Sequence, residues 1–213
     1  MSRIFLIPGL GADTRIYKNI DLKNNEVIPI NWIEQDESDT LSLYAQKLIN
    51  KYDINVNSIV IGNSLGGMLA VEIANKINLD KVILISSIKS IDEAPWYFKF
   101  FRTIKFHHLI PVQKLTQLEF LIEYAFGGMT ENDRHLFADM LRNTPPTFVK
   151  WAIDAILQWG NQTIPKNVYH ITGDKDKVFP YKKIKGATII KGGTHVMIFA
   201  RAKEINDWLH NIL

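Results

Sequence analysis

The 213-residue sequence predicts an α/β protein, a three-layer, doubly wound, mostly parallel six-stranded sheet with a helical insertion after the fourth strand. Three observations carry that expectation. Short apolar runs alternate with glycine-rich turns and helical patterns, the rhythm of parallel strands joined by crossover helices. Right-handed crossovers then cover the sheet on both faces. One long stretch, residues 88–162, breaks the rhythm with helical periodicity and no convincing strand.

The elements follow in order. Arg3 to Ile7 reads as a first strand that ends at Pro8-Gly9-Leu10-Gly11. Glu26 to Trp32 is a second. Leu41, Tyr44, Ala45, Leu48, Ile49 and Tyr52 recur at helical spacing. Ser58 to Gly62 is a third strand, followed by a helix from Leu65 to about Ile77. Lys81 to Ser86, Asn167 to Thr172 and Ala187 to Ile190 are the remaining strands. Ile198, Ile205, Trp208, Leu209 and Ile212 share one face of a closing helix. Residues 1–87 and 163–213 are therefore expected to form the core. Residues 88–162 are expected to form a lid over the carboxyl edge of the sheet, where ligands of such folds bind. The lid helices read as Leu115 to Tyr124, Asn132 to Leu141 and Phe148 to Trp159.

Composition narrows the chemistry. The chain has no cysteine, which excludes disulfides, thiol nucleophiles and thiolate metal sites. With 25 Lys and Arg against 22 Asp and Glu, a net charge of +3 gives no argument for nucleic acid. The 46% hydrophobic content excludes disorder. No run approaches the roughly 18 apolar residues of a membrane span. The apolar run Ile4 to Ile7 is too short for a secretory leader, so a cytoplasmic setting is expected.

Gly62-Asn63-Ser64-Leu65-Gly66, followed by Gly67, sits between a strand and a helix. A G-x-S-x-G sequence there describes a nucleophile elbow, a turn sharp enough to expose the serine hydroxyl. Glycines on either side let strand and helix approach each other. A serine nucleophile needs a base, and the base needs an acid to orient it. His195, in Lys191-Gly192-Gly193-Thr194-His195 beyond the sixth strand, is placed for the base. His170 lies inside the fifth strand and reads as a core residue; His107, His108, His135 and His210 read as surface or packing residues. Gly173-Asp174-Lys175-Asp176 follows the fifth strand and offers two acids. Asp176 is the candidate, with Asp174 able to hold the turn instead, and Asp92 a remote third. Acyl transfer also needs two donors for an oxyanion. The backbone N–H groups of Leu65 and Leu10 are the candidates.

At Pro8 to Gly11, Gly62 to Gly67, Gly173 to Pro180 and Gly193-Thr194-His195 the chain resembles the α/β-hydrolase superfamily. The matching pieces span nearly the whole chain in the right order. The resemblance implies hydrolysis through an acyl-enzyme on Ser64 with a Ser64-Asp176-His195 triad and neither cofactor nor metal. Pro8 and Asn63 stand where many members have histidine, and the family's usual leading hairpin has no counterpart before Arg3. The expected function is carboxylic-ester cleavage. A thioesterase, an amidase, another reaction on the same triad, or a non-catalytic ligand-binding member is the alternative. The expected partner is a small apolar acyl substrate, with no nucleic acid or membrane, for a monomer or homodimer.

Residues 95–159 hold 13 of the 23 aromatic residues. The run Pro95 to Lys114 adds Lys99, Arg102, Lys105 and Lys114 and has no acid. It reads as an amphipathic helix closing the lid's own core, or as an apolar acyl pocket with a basic rim, or as an interfacial face. Gly9-Leu10-Gly11-Ala12-Asp13-Thr14 also approximates a dinucleotide fingerprint, but Thr14 replaces its third glycine.

Overall fold

The computed structural model describes residues 2–22, 25–104 and 128–213. The expected helix from Leu115 to Tyr124, together with Lys105 to Lys114 and its two histidines, lies outside them.

Strands β1 (Arg3–Ile7), β2 (Glu26–Pro29), β3 (Ser58–Asn63), β4 (Lys81–Ile85), β5 (Val168–Gly173) and β6 (Thr188–Ile190) form one sheet. Its order is β2-β1-β3-β4-β5-β6. Every neighbouring pair is parallel, so the sheet expected to be mostly parallel is entirely so. The chain moves outward from β1 to β2, then crosses back to β3 on the other side of β1. The carboxyl ends of β1 and β3 therefore make the switch point at which a crevice opens. Pro8 to Gly11 and Ser64 both sit there.

The central strands are buried on both faces, and their residues alternate between two apolar clusters. Phe5, Ile7, Val60, Val82 and Leu84 pack on one side with α1 (Leu41–Tyr52) and α2 (Leu65–Ala74). Ile4, Leu6, Ile59, Ile61, Ile83, Ile85 and Ile171 face the other side. There they meet α6 (Met197–Ala200) and α7 (Ala202–His210). Each such aliphatic side chain contributes ~1.5–3 kcal/mol when fully buried. Helix α1 starts at Thr40, whose hydroxyl accepts the Leu43 amide at 3.2 Å. It ends at Asp53 in the left-handed region.

Several boundaries differ from the sequence reading: α2 ends at Ala74 rather than Ile77, and β3 to β6 shift by one residue at one or both ends. The second strand stops at Pro29 rather than Trp32, because the chain leaves the sheet edge and the Trp32 indole N–H donates to the Ala12 carbonyl at 2.8 Å. The closing helix is broken at Arg201, whose φ of −123° and ψ of 29° are not helical. No glycine or proline marks that break.

Helices α3 (Tyr97–Ile104), α4 (Glu131–Asn143) and α5 (Pro146–Gln158) belong to the 88–162 segment. Among the described residues, they do not form a core of their own. Phe137 and Met140 of α4 join the cluster on one side of the sheet. Phe98 of α3 and Phe148, Trp151, Ala152 and Ala155 of α5 join the other. Helix α4 is also tied to the loop after β1 by Arg15–Asp139 and Lys18–Asp133 ion pairs, both at 2.8 Å. The Trp151 indole N–H donates to the Asp39 carbonyl at 2.8 Å. Arg102 of α3 donates to the Leu157 and Trp159 carbonyls at 2.6 and 2.9 Å, so this cation caps the end of α5.

The β3–α2 junction depends on close backbone approach. A Cβ on Gly66 would lie 2.6 Å from the Pro8 carbonyl oxygen and closer still to that of Ile7. Both obstacles are backbone and cannot rotate away. Gly66→Ala is expected to destabilise the fold by about 3 kcal/mol, at the upper end of the usual overpacking cost. The denaturant midpoint should fall accordingly; an unchanged midpoint would show that the junction can open.

Candidate active site

Ser64 stands between β3 and α2 with φ 52° and ψ −117°. That is a strained conformation for any residue with a Cβ. Strand and helix together hold it. Its amide donates to the Ile85 carbonyl at 3.0 Å. Its carbonyl accepts from the Gly67 amide at 2.9 Å and from the Ser87 hydroxyl at 2.7 Å. Ser87 follows β4, and no pattern in the sequence singles it out. Only the pairing of β3 with β4 brings it under the elbow.

His195 Nε2 lies 2.9 Å from Ser64 Oγ, across 131 residues of sequence. His195 Nδ1 lies 2.9 Å from Asp176 Oδ2. The second carboxylate oxygen, Oδ1, accepts the amides of Val178 and Phe179, both at 2.8 Å. Asp176 and His195 are each about 95% buried. A carboxylate that accepts two amide hydrogens has its charge distributed and its orientation set. It assigns the proton to Nδ1 of the imidazole and leaves the Nε2 lone pair toward the serine hydroxyl. This is the geometry in which an imidazole can accept a serine proton.

Two glycines bring the Asp176 and His195 loops together. A Cβ on Gly173 would collide with the Gly193 backbone, its Cα 2.7 Å away. The Lys175 amide donates to the Gly193 carbonyl at 2.9 Å. Asp174 turns away from His195 and accepts the Gly192 amide at 2.6 Å, so it holds the turn. Asp92 is exposed, in a 3-10 turn after β4.

The loop after β1 lies against Ser64. A Cβ on Gly9 would meet Ser64 Cβ at 3.3 Å and Asn63 Oδ1 at 3.1 Å. Among the described residues, neither the Leu10 nor the Leu65 amide donates to a protein acceptor. Buried Tyr17 braces the loop by donating to the Ile7 carbonyl at 2.7 Å. This loop leads into a single 3-10 turn, Thr14–Tyr17, rather than the crossover helix a dinucleotide fingerprint needs.

Above Ser64 opens a cavity of about 230 Å³. Gly9, Leu10, Asn63, Ser64 and His195 form its floor, and Phe98, Phe137 and Ile156 come from α3, α4 and α5. The aromatic run after Pro95 divides. Phe98 enters the cavity, whereas Trp96 and Phe100 face outward, 73% and 50% exposed. The Tyr97 hydroxyl donates to the Val178 carbonyl, joining α3 to the Asp176 loop.

His170, within β5, is 3% exposed. Burial, and after it the nearby Lys89 ammonium, push its imidazole down to about 3. The unfolded chain therefore binds a proton below about pH 6.5 that the folded chain refuses, and stability rises with pH across that window. Lowering the pH from 7 to 5 is expected to cost about 2 kcal/mol of stability through this residue. Denaturant titrations of wild type and His170→Phe at both pH values should differ by that amount; parallel pH dependence would contradict it. His135 and His210 lie at the surface, 3.7 Å from Glu131 and 3.9 Å from Asp21.

Among the described residues, no cluster of three His, Asp or Glu side chains is placed to hold a metal ion. None of the described helices is long and apolar enough to cross a membrane.

A parallel sheet with a strained serine at a strand–helix junction, set beside the histidine loop that follows the last strand, defines an α/β hydrolase. A model of the alpha/beta hydrolase family matches residues 4–208, and the chain belongs to that family. Solved structures agree on the fold. A hydrolase from Pseudomonas aeruginosa PA01 superposes with a TM-score of 0.78 at 13% identity, over 99% of this chain and 89% of that one. An esterase from Exiguobacterium antarcticum gives 0.75 at 13%, over 99% and 91%. A bromoperoxidase from Bacillus anthracis gives 0.71 at 17%, over 99% and 91%. No protein of curated function matches the chain in sequence.

Proposed function

We propose that the protein is a serine hydrolase that cleaves a carboxylic ester of a small molecule through an acyl-enzyme on Ser64. The observation that carries this reading is His195, within 2.9 Å of both Ser64 Oγ and Asp176 Oδ2. His195 Nε2 takes the hydroxyl proton as Ser64 Oγ attacks the ester carbonyl. The amides of Leu10 and Leu65 receive the oxyanion. The tetrahedral species collapses, and the alcohol leaves with the proton from His195. A water molecule, deprotonated by the same imidazole, then attacks the acyl-enzyme and releases the acid and free Ser64. Asp176 keeps the imidazole in the required tautomer and offsets its positive charge. The segment 88–162 serves as the lid, which Phe98, Phe137 and Ile156 in the cavity wall support.

The test is labelling of Ser64 by a fluorophosphonate, together with turnover of matched ester, thioester and amide substrates. Labelling at Ser64 with ester turnover is the expected result. Labelling with turnover of thioester or amide alone would keep the nucleophile and replace the ester. No labelling would mark a ligand-binding member of the family.

A further inference from the structure

We infer that Ser87 is a positioning residue: its hydroxyl, bonded to the Ser64 carbonyl, fixes the Ser64–Leu65 peptide so that the Leu65 N–H is aimed at the oxyanion. This rests on the serine-hydrolase reading and adds to it the side chain that holds one oxyanion donor in place.

A trans peptide is planar, and its C=O and N–H point in opposite directions. Whatever holds the Ser64 carbonyl therefore also sets the direction of the Leu65 N–H. The carbonyl accepts the Gly67 amide at 2.9 Å and the Met68 amide at 3.3 Å, both from the first turn of α2. It also accepts the Ser87 hydroxyl at 2.7 Å, the shortest of the three and the one that comes from another strand. A hydroxyl bonded there draws charge toward the carbonyl oxygen, which makes the N–H at the other end of the peptide a stronger donor. Orientation and polarisation both act where negative charge develops, so they favour the transition state over the bound ester.

The surroundings are built around this bond. Ser87 is fully buried. Ser86, just before it, has φ 49°, in the left-handed region that a serine rarely adopts. The Ser86 amide still donates to the Ile171 carbonyl at 3.0 Å. Strand β4 is thus held against β5 up to this turn, and Ser87 is the first residue beyond it. Strained residues of this kind persist where the surrounding structure holds them, and they gather at functional sites. Gly67 completes the fit. A Cβ there would lie 2.4 Å from Ser87 Oγ and 2.5 Å from Ser87 Cβ. The hydroxyl could turn aside only by leaving the Ser64 carbonyl, and the Cβ cannot turn aside at all. Glycine is a poor helix former, and at the third position of α2 it leaves the room that Ser87 needs.

The test compares wild type, Ser87→Ala and Ser87→Cys with p-nitrophenyl butyrate, or with the matched thioester or amide if that is what the wild type turns over. Ser87→Ala is expected to lower kcat about 10-fold with KM changed by less than about 2-fold. The loss is smaller than the roughly 10²–10³-fold cost of deleting an oxyanion donor, because the Gly67 amide still holds the carbonyl. The Ki of an alkyl trifluoromethyl ketone, whose adduct on Ser64 carries the oxyanion, should rise about 10-fold. The Ki of butyrate, which forms no such adduct, should stay within about 2-fold. Cysteine keeps the bulk of the side chain but is a weak donor, so Ser87→Cys should behave like Ser87→Ala. Thermal unfolding checks that each variant is folded; if Ser87→Ala is not, Ser87→Cys carries the comparison. An unchanged kcat, a Ser87→Cys variant as fast as wild type, or ketone and butyrate Ki values that rise together overturns this inference and leaves the hydrolase standing. Absence of both turnover and fluorophosphonate labelling in the wild type overturns both.

Discussion

Ser64→Ala is expected to lower kcat for p-nitrophenyl butyrate on the order of 10⁵-fold, comparable to removal of the nucleophile in serine hydrolases. Residual activity above the uncatalysed rate would come from the oxyanion donors and the pocket. The fold should persist, because the elbow is held through the backbone of Ser64 rather than its hydroxyl. The amide is bonded to Ile85, and the carbonyl to Gly67 and Ser87. Alanine keeps the Cβ, so it keeps the strain at φ 52°. Ser64→Gly removes the Cβ and should be as inactive but more stable by about 1 kcal/mol. Turnover and thermal unfolding of the pair are the measurements. Unchanged turnover in Ser64→Ala would reject the serine as nucleophile.

Asp176→Asn is expected to lower kcat about 10⁴-fold with little change in substrate binding. The reason lies in how both carboxylate oxygens are used. Oδ1 accepts two backbone amides, and Oδ2 faces His195 Nδ1. Asparagine has one acceptor oxygen. The Val178 and Phe179 amides claim it, which turns the NH₂ group toward Nδ1. The imidazole must then carry its proton on Nε2, facing Ser64, where it cannot accept another. Asp174→Asn is the control. Among the described residues that side chain accepts the Gly192 amide alone, and its oxygen can still do so in asparagine. A larger kcat loss for Asp174→Asn than for Asp176→Asn would reverse the assignment.

Much of the fold was readable because its signals are local. The strand β1 spans Arg3–Ile7, as the apolar run between Ser2 and Pro8 indicates. Helix α5 starts at Pro146 and helix α4 at the Thr130 cap, close to the periodic stretches that predict them. The break at Arg201 was not readable. Ile198, Ile205 and Leu209 keep one periodic stripe across it, and nothing in the side chains of that segment opposes a continuous helix. The helices α4 and α5 were readable as helices, but not as members of the main clusters. Periodicity shows that a helix has an apolar face and is silent on which surface receives it. Ser87 and Tyr97 were invisible for the same reason, since each acts through a carbonyl more than 20 residues away.

By itself the sequence determined the kind of fold, the elbow at Ser64 and a short list of possible partners in the family's chain order. The fold and the elbow rest on neighbours within a turn or a strand, where sterics and hydrophobic periodicity act directly, and the partner list on the resemblance to the family. Tertiary structure alone decided that Asp176 rather than Asp174 faces His195, that Arg102 caps a helix, and that Phe98 enters the cavity while Trp96 does not. These are outcomes of non-local packing. Strands β3, β5 and β6 fix where their loops emerge, the Gly173–Gly193 approach sets how near two of those loops come, and the helices after residue 88 fill what space remains.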